Sequence, residues 1–208
     1  MDRSASPAGF RVSAIQSIGL GLVRTGRALA AAGAWPGRYV GWLLVPLTVL
    51  VIASVVGSLL RLSDIVRWGV DLPVLGTGLN LNGLTELQWH LLAVITMLAL
   101  PYALVENRHI RVDILYETLS PRSKAAIDLV GDLILLLPFC MVIGYLSINF
   151  VAFAYKTGEQ STYGGLVDRW VVKSFLPLGL GLLGLTAVGR IIAGIGTLLA
   201  SRSEVTHD

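Results

Sequence analysis

Polar and apolar residues alternate in long blocks along this chain. Val40 to Leu60 contains no charged residue, Leu91 to Val105 none, Leu133 to Tyr155 none, and Ser174 to Leu199 only Arg190. About 20 helical residues cross a bilayer core of roughly 30 Å. The pattern therefore predicts four spans, at about 40–60, 84–105, 125–155 and 174–199. Trp35, Tyr39 and Trp42 cluster where the first span begins, as aromatic rings do at a membrane interface. Between spans two and three lies a charged stretch, Glu106 to Pro121. Within it Val112, Leu115, Tyr116 and Leu119 recur at helical spacing, predicting a short amphipathic helix in the cytoplasmic headgroup layer. Ser120-Pro121 reads as an N-cap followed by a proline at the first helical position, so a new helix starts there. The outer connection Arg61–Gly83 is broken by Gly69, Pro73, Gly76 and Gly78, with Ile65, Val66 and Trp68 as a short piece resting on the membrane.

Composition agrees. Of 208 residues 54% are hydrophobic and 14% charged, against roughly a quarter charged in a soluble domain. The excess of positive charge does not point to nucleic acid, because the arginines sit at the ends of apolar runs rather than along one face. The leader (1–38) holds five arginines and only Asp2 as a counter-charge. Its apolar core, Ile15 to Val23, is broken by Gln16 and Ser17 and followed by two arginines, the wrong order for a signal peptide ending at Ala30-Ala31-Ala32. Ile15, Ile18, Leu22 and Leu29 predict instead an amphipathic helix held to anionic phospholipid by its arginines, with Gly19, Gly21 and Gly26 weakening it. The leader, the Glu106–Lys124 segment and the tail (200–208) with Arg190 carry eleven of the 16 Lys and Arg residues. This bias predicts that both termini and the central stretch are cytoplasmic. The fold class expected is an all-α integral membrane protein: four transmembrane helices (39–199), a basic N-terminal amphipathic helix, and a short interfacial helix between spans two and three.

Candidate chemistry is sparse. One cysteine, Cys140, excludes an intrachain disulfide and a multi-cysteine metal site. His90 is the only histidine placed to approach membrane depth, which excludes a haem held by two histidines and favours a helix–helix hydrogen bond. Glu86 and Glu159 are either ion-binding carboxylates or groups paired with Arg67, Lys156 or Arg169. Asp128 and Asp132 lie one turn apart at the start of the third span. They serve either the helix dipole, with Lys124 four residues before Asp128, or a general acid/base role. Arg190 within lipid would cost at least about 2.5 kcal/mol, so it reaches the cytoplasmic headgroups or finds a partner. The apolar cores, with no inverted repeat, lack the mid-depth ionisable groups of a chain that moves ions by itself.

Two groups of short motifs carry a family resemblance. His109-Ile110-Arg111-Val112-Asp113-Ile114-Leu115, with Leu119-Ser120-Pro121-Arg122, occupies the cytoplasmic side. Gly158-Glu159-x-Ser161, Trp170-x-x-Lys173 and Pro177-Leu178-Gly179 follow on the outer side. In this order the motifs resemble the small (DctQ-like) membrane subunit of tripartite ATP-independent periplasmic (TRAP) transporters, over about Val40 to Leu199. The resemblance implies a non-catalytic scaffold without cofactor or metal of its own. Its partners would be a large elevator-type membrane subunit, on which sodium is expected to bind, and a periplasmic substrate-binding protein. Arg108, His109, Arg111 and Asp113 would fix the central helix at the cytoplasmic interface, with Tyr116, Ser120, Pro121 and Arg190 as structural residues. Glu159, Ser161, Trp170 and Lys173 would shape the surface near the delivery protein. A membrane anchor for a respiratory oxidoreductase is the alternative, and an enzyme using Asp128 and Asp132 comes third.

Overall fold

The computed structural model describes residues 7–106 and 119–202. Helix α1 (Pro7–Val40) runs through a 3-10 turn at Gly41–Leu43 into α2 (Leu44–Leu59). The tightened turn precedes Pro46, whose missing N–H leaves the Trp42 carbonyl without its ordinary helical donor. An antiparallel hairpin follows, β1 (Asp64–Leu72) and β2 (Gly76–Asn80), with two register shifts in its pairing. The all-α expectation thus gains a small hairpin where a short interfacial piece was predicted. Irregular pairing explains why no clean two-residue alternation marks β1 in the sequence.

Helix α3 (Leu81–Val105) begins three residues earlier than its apolar run suggests, because the Asn80 side chain caps it by accepting from the Gly83 N–H at 2.7 Å. Helix α4 (Pro121–Gly131) begins at the predicted place: the Ser120 hydroxyl accepts from the Ser123 N–H at 3.2 Å and Pro121 opens the first turn. A π-helical turn at Asp132–Leu136 joins α4 to α5 (Leu137–Lys156). The short α6 (Trp170–Lys173) leads into α7 (Phe175–Arg202). Among the described residues four helical stretches are long and apolar enough to cross a membrane, within 16–59, 81–105, 123–156 and 170–200.

Helix α7 is the hub, packing on α1, α3, α4 and α5, whereas α2 leans mainly on α3, and α5 on α7. The helices therefore bury little apolar area among themselves. The chain exposes 14012 Å², where a compact soluble chain of this mass would expose about 9,400 Å². Val49, Ile52, Phe139, Met141 and Phe153 are among the large apolar side chains left on that surface.

From Pro7 the leader is helical as expected, but of its apolar stripe Leu22 and Leu29 are only half-buried. Ile18 is 60% exposed. The buried side is made of small residues (Gly19, Gly26, Ala30, Gly33 and Ala34) laid along α7. Gly37 meets Leu98 and Tyr102 of α3. Removing side chains lets two helix backbones approach, a mode of packing that does not depend on expelling water and works in lipid.

Candidate functional site

Ionisable groups concentrate at the two ends of the spans. At one end, the first turns of α3 meet the connection between α5 and α7. The Glu86 carboxylate accepts from the Ser161 hydroxyl at 2.6 Å, the Leu166 N–H at 2.9 Å and the Arg169 guanidinium at 3.2 Å. Gly165 allows this approach, since a Cβ there would fall 2.5 Å from Glu86 Oε2. Asn80 and Asn82 donate to the carbonyls of Gly164 and Tyr163, and the Val167 N–H donates to the Val74 carbonyl. The hairpin, the cap of α3 and the loop are thus fastened together. Beside them Lys173 pairs with Glu159 at 2.5 Å and lies 3.9 Å above the Phe150 ring, and Trp170 meets Tyr155 edge to face.

Of the outer sequence-predicted residues, Glu159, Ser161, Trp170 and Lys173 are brought together, but each is turned into the fold and half-buried. Glu86 takes one of its three expected partners, Arg169. Glu159 takes Lys173 instead, which stands 14 residues on in the chain and follows the loop's return. His90 does not bridge helices: its Nδ1 lies 2.6 Å from the Glu86 carbonyl one turn back in α3. Gln88 makes the interhelical bond, donating to the Leu50 carbonyl and the Ser54 hydroxyl of α2 at 3.1 and 2.9 Å.

At the other end lies Arg190. From Glu86 to Leu104 α3 rises about 27 Å, close to the thickness of a bilayer core of about 30 Å. Arg190 contacts Leu104 and so stands at the second membrane boundary. Its Nε donates to Asp132 Oδ2 at 2.7 Å and its Nη1 to the Leu104 carbonyl at 2.8 Å. Asp128 lies 3.9 Å away. The Leu104 carbonyl also accepts a backbone N–H at the cap of α3, and its second acceptor position is the one that Arg190 takes. The partner that Arg190 required is therefore a pair of carboxylates on α4 and the π turn. Arg108, His109, Arg111, Asp113 and Tyr116 lie outside the described residues. Among the described residues no three His, Cys, Asp or Glu side chains gather as metal ligands.

The sequence matches the family described as tripartite ATP-independent periplasmic transporters, DctQ component, over residues 73–197. The chain belongs to the DctQ family. No curated protein and no solved structure matches it. A DctQ chain is a component of a TRAP transporter, and a tripartite system implies partner subunits. The matched range holds both polar clusters of this DctQ chain, Glu86 with Arg169 and Asp132 with Arg190, whereas α1 and α2 pack on it from outside. Asp128 and Asp132 face Arg190 rather than each other, an arrangement that favours charge balance over proton transfer between acid and base.

The Glu86 cluster carries its own prediction. Glu86→Gln removes the charge that gathers three donors and is expected to loosen the 157–169 loop by about 1.5–3 kcal/mol, the worth of a charged hydrogen bond. Limited proteolysis of the detergent-solubilised protein should then cut this loop several-fold faster. An unchanged rate would mean that the loop is held from elsewhere.

Proposed function

We propose that this DctQ-family chain is the non-translocating scaffold subunit of a sodium-driven TRAP uptake transporter. It supports a large elevator-type membrane subunit in the bacterial inner membrane, with both termini cytoplasmic. The outer end, where α6 and the 157–169 loop sit, helps dock the periplasmic substrate-binding protein.

One observation carries this reading. Glu86 with Arg169, Glu159 with Lys173, and Asp132 with Arg190 pair at the two ends of the spanning helices. Between them α2, α5 up to Tyr155 and α7 up to Gly189 hold no Asp, Glu, Lys or Arg. A path for a charged solute would need polar groups at mid-depth. The broad apolar surface left open by the loose packing suits a role against a second membrane protein and lipid.

Reconstitution tests the proposal. Vesicles with this chain alone are expected to show no sodium-driven organic-acid uptake. Uptake should appear only when the large subunit and the binding protein are both present. Accumulation by the isolated chain would overturn the scaffold assignment, and failure to co-purify with the large subunit would overturn the partnership.

A further inference from the structure

The turn of the hairpin and the 157–169 loop meet at a backbone hydrogen bond, and both chains bend sharply beside it. The Val167 N–H donates to the Val74 carbonyl at 2.9 Å. Val74, between β1 and β2, has a φ of 69°, and Asp168, next to Val167, a φ of 50°. Aspartate is enriched in this left-handed region, but a β-branched residue there is an outlier, because its Cβ crowds the neighbouring carbonyl. Such strain persists only where the surroundings over-determine it. Here the surroundings are the loop. A Cβ at Gly76 would stand 3.4 Å from the Val167 side chain, and Leu166, 1% exposed, gives its N–H to Glu86 at 2.9 Å. The loop carries a cost as well. Arg169 offers Glu86 its Nη2, while its buried Nε meets no acceptor among the described residues.

We propose that this contact is a sprung latch. In the closed state, that of this structure, the Glu86 cluster holds the loop against the hairpin turn and so keeps Val74 left-handed. In the open state the Val167–Val74 bond parts, Val74 relaxes to an extended φ, and turn and loop separate in one step. The spring works against the cluster, so the two states lie closer in free energy than three donors on one carboxylate would set them. A protein seated on the loop then needs only a modest preference for the open state to populate it. The latch does not depend on the docking role proposed above, nor on which partner uses this end of the spans.

The test is hydrogen exchange read by mass spectrometry on the full chain in lipid nanodiscs, on peptides covering 72–78 and 159–168. Glycine ordinarily loosens a turn, because the open chain gains freedom. At Val74 the sign reverses. Val74→Gly is expected to slow exchange about threefold in its own turn and in the loop, the left-handed penalty less the cost of glycine's freedom. Coupling is reciprocal, so Glu86→Gln should speed exchange several-fold in the turn as well as in the loop. Adding Val74→Gly to Glu86→Gln should recover about threefold in both. Val70→Gly, in β1 and outside the left-handed region, is the control and should slow neither peptide. Faster exchange in Val74→Gly would mean that no strain is stored at the turn. A loop indifferent to Val74→Gly, or a turn indifferent to Glu86→Gln, would mean that the two do not move together. Each of these results overturns the proposal.

Discussion

Arg190→Met is expected to be the most damaging single change in the membrane-spanning part of this protein, at about 3–5 kcal/mol, because it leaves a buried carboxylate without its cation. The Arg190 and Asp132 side chains are only 17% and 11% exposed. Methionine keeps much of the volume and removes the guanidinium, so Asp132 loses its 2.7 Å ion pair and the Leu104 carbonyl its 2.8 Å donor. Asp132 would then have to be resolvated or shed its charge at a membrane boundary, while the Leu104 carbonyl keeps only its backbone donor. Replacing the pair together, Arg190→Met with Asp132→Leu, should recover most of the loss, since an apolar pair of similar volume is often no worse than a buried ion pair. Thermal melting of the detergent-purified protein checks both. A single variant that melts with the parent, or a double variant no better than the single one, would mean that the pair is not what joins α4 to α7.

Why Asp132 is the partner was not readable from the sequence, although the need for a partner was. Cys140, Ser147 and Ala154 are buried at seven-residue spacing along α5, which is two helical turns. Asp132 precedes Cys140 by eight residues and is nonetheless buried as well. The π turn at Asp132–Leu136 absorbs the extra residue and returns Asp132 to the side that meets α7. A periodicity reading that assumes regular α-helix puts Asp132 about 100° further round. The spans themselves were legible because apolar length is a local property, and the start of α4 was legible because Ser120 and Pro121 act on their own turn. The Glu86 cluster depends on pairing across more than 70 residues, for which the sequence offers no local sign, and the hairpin was hidden by its irregular register. The helix of the leader was legible too, but not what its glycines do. Its glycines count against helix on propensity alone, but in lipid they are what lets α1 lie against α7.

Gly26→Val is therefore expected to detach α1 from α7. A Cβ at Gly26 would lie 2.5 Å from the Gly189 carbonyl oxygen and 2.5 Å from the Ala193 nitrogen. One at Gly189 would lie 2.5 Å from the Ala30 nitrogen and 2.7 Å from the Gly26 oxygen. These are backbone atoms of two rigid helices, so no side-chain rotation relieves the overlap. Inserting bulk into a close-packed contact costs about 1–3 kcal/mol where neighbours can shift, and more where they cannot. Gly21 is the control: nothing lies within 4 Å of a Cβ built there. Gly21→Ala should leave the packing intact and gain up to about 1 kcal/mol of helix propensity. Arg24 and Arg27 are exposed on α1, so trypsin reports the detachment as local opening. Gly26→Val is expected to raise the cleavage rate at least about tenfold, the consequence of losing 1.4 kcal/mol or more of local stability. Gly21→Ala should not. The comparison also separates two roles for the leader. If α1 were held only by its arginines on the lipid surface, the two glycines would be equivalent and both variants would be cut alike. If it is a fixed part of the scaffold, only the glycine that touches α7 matters.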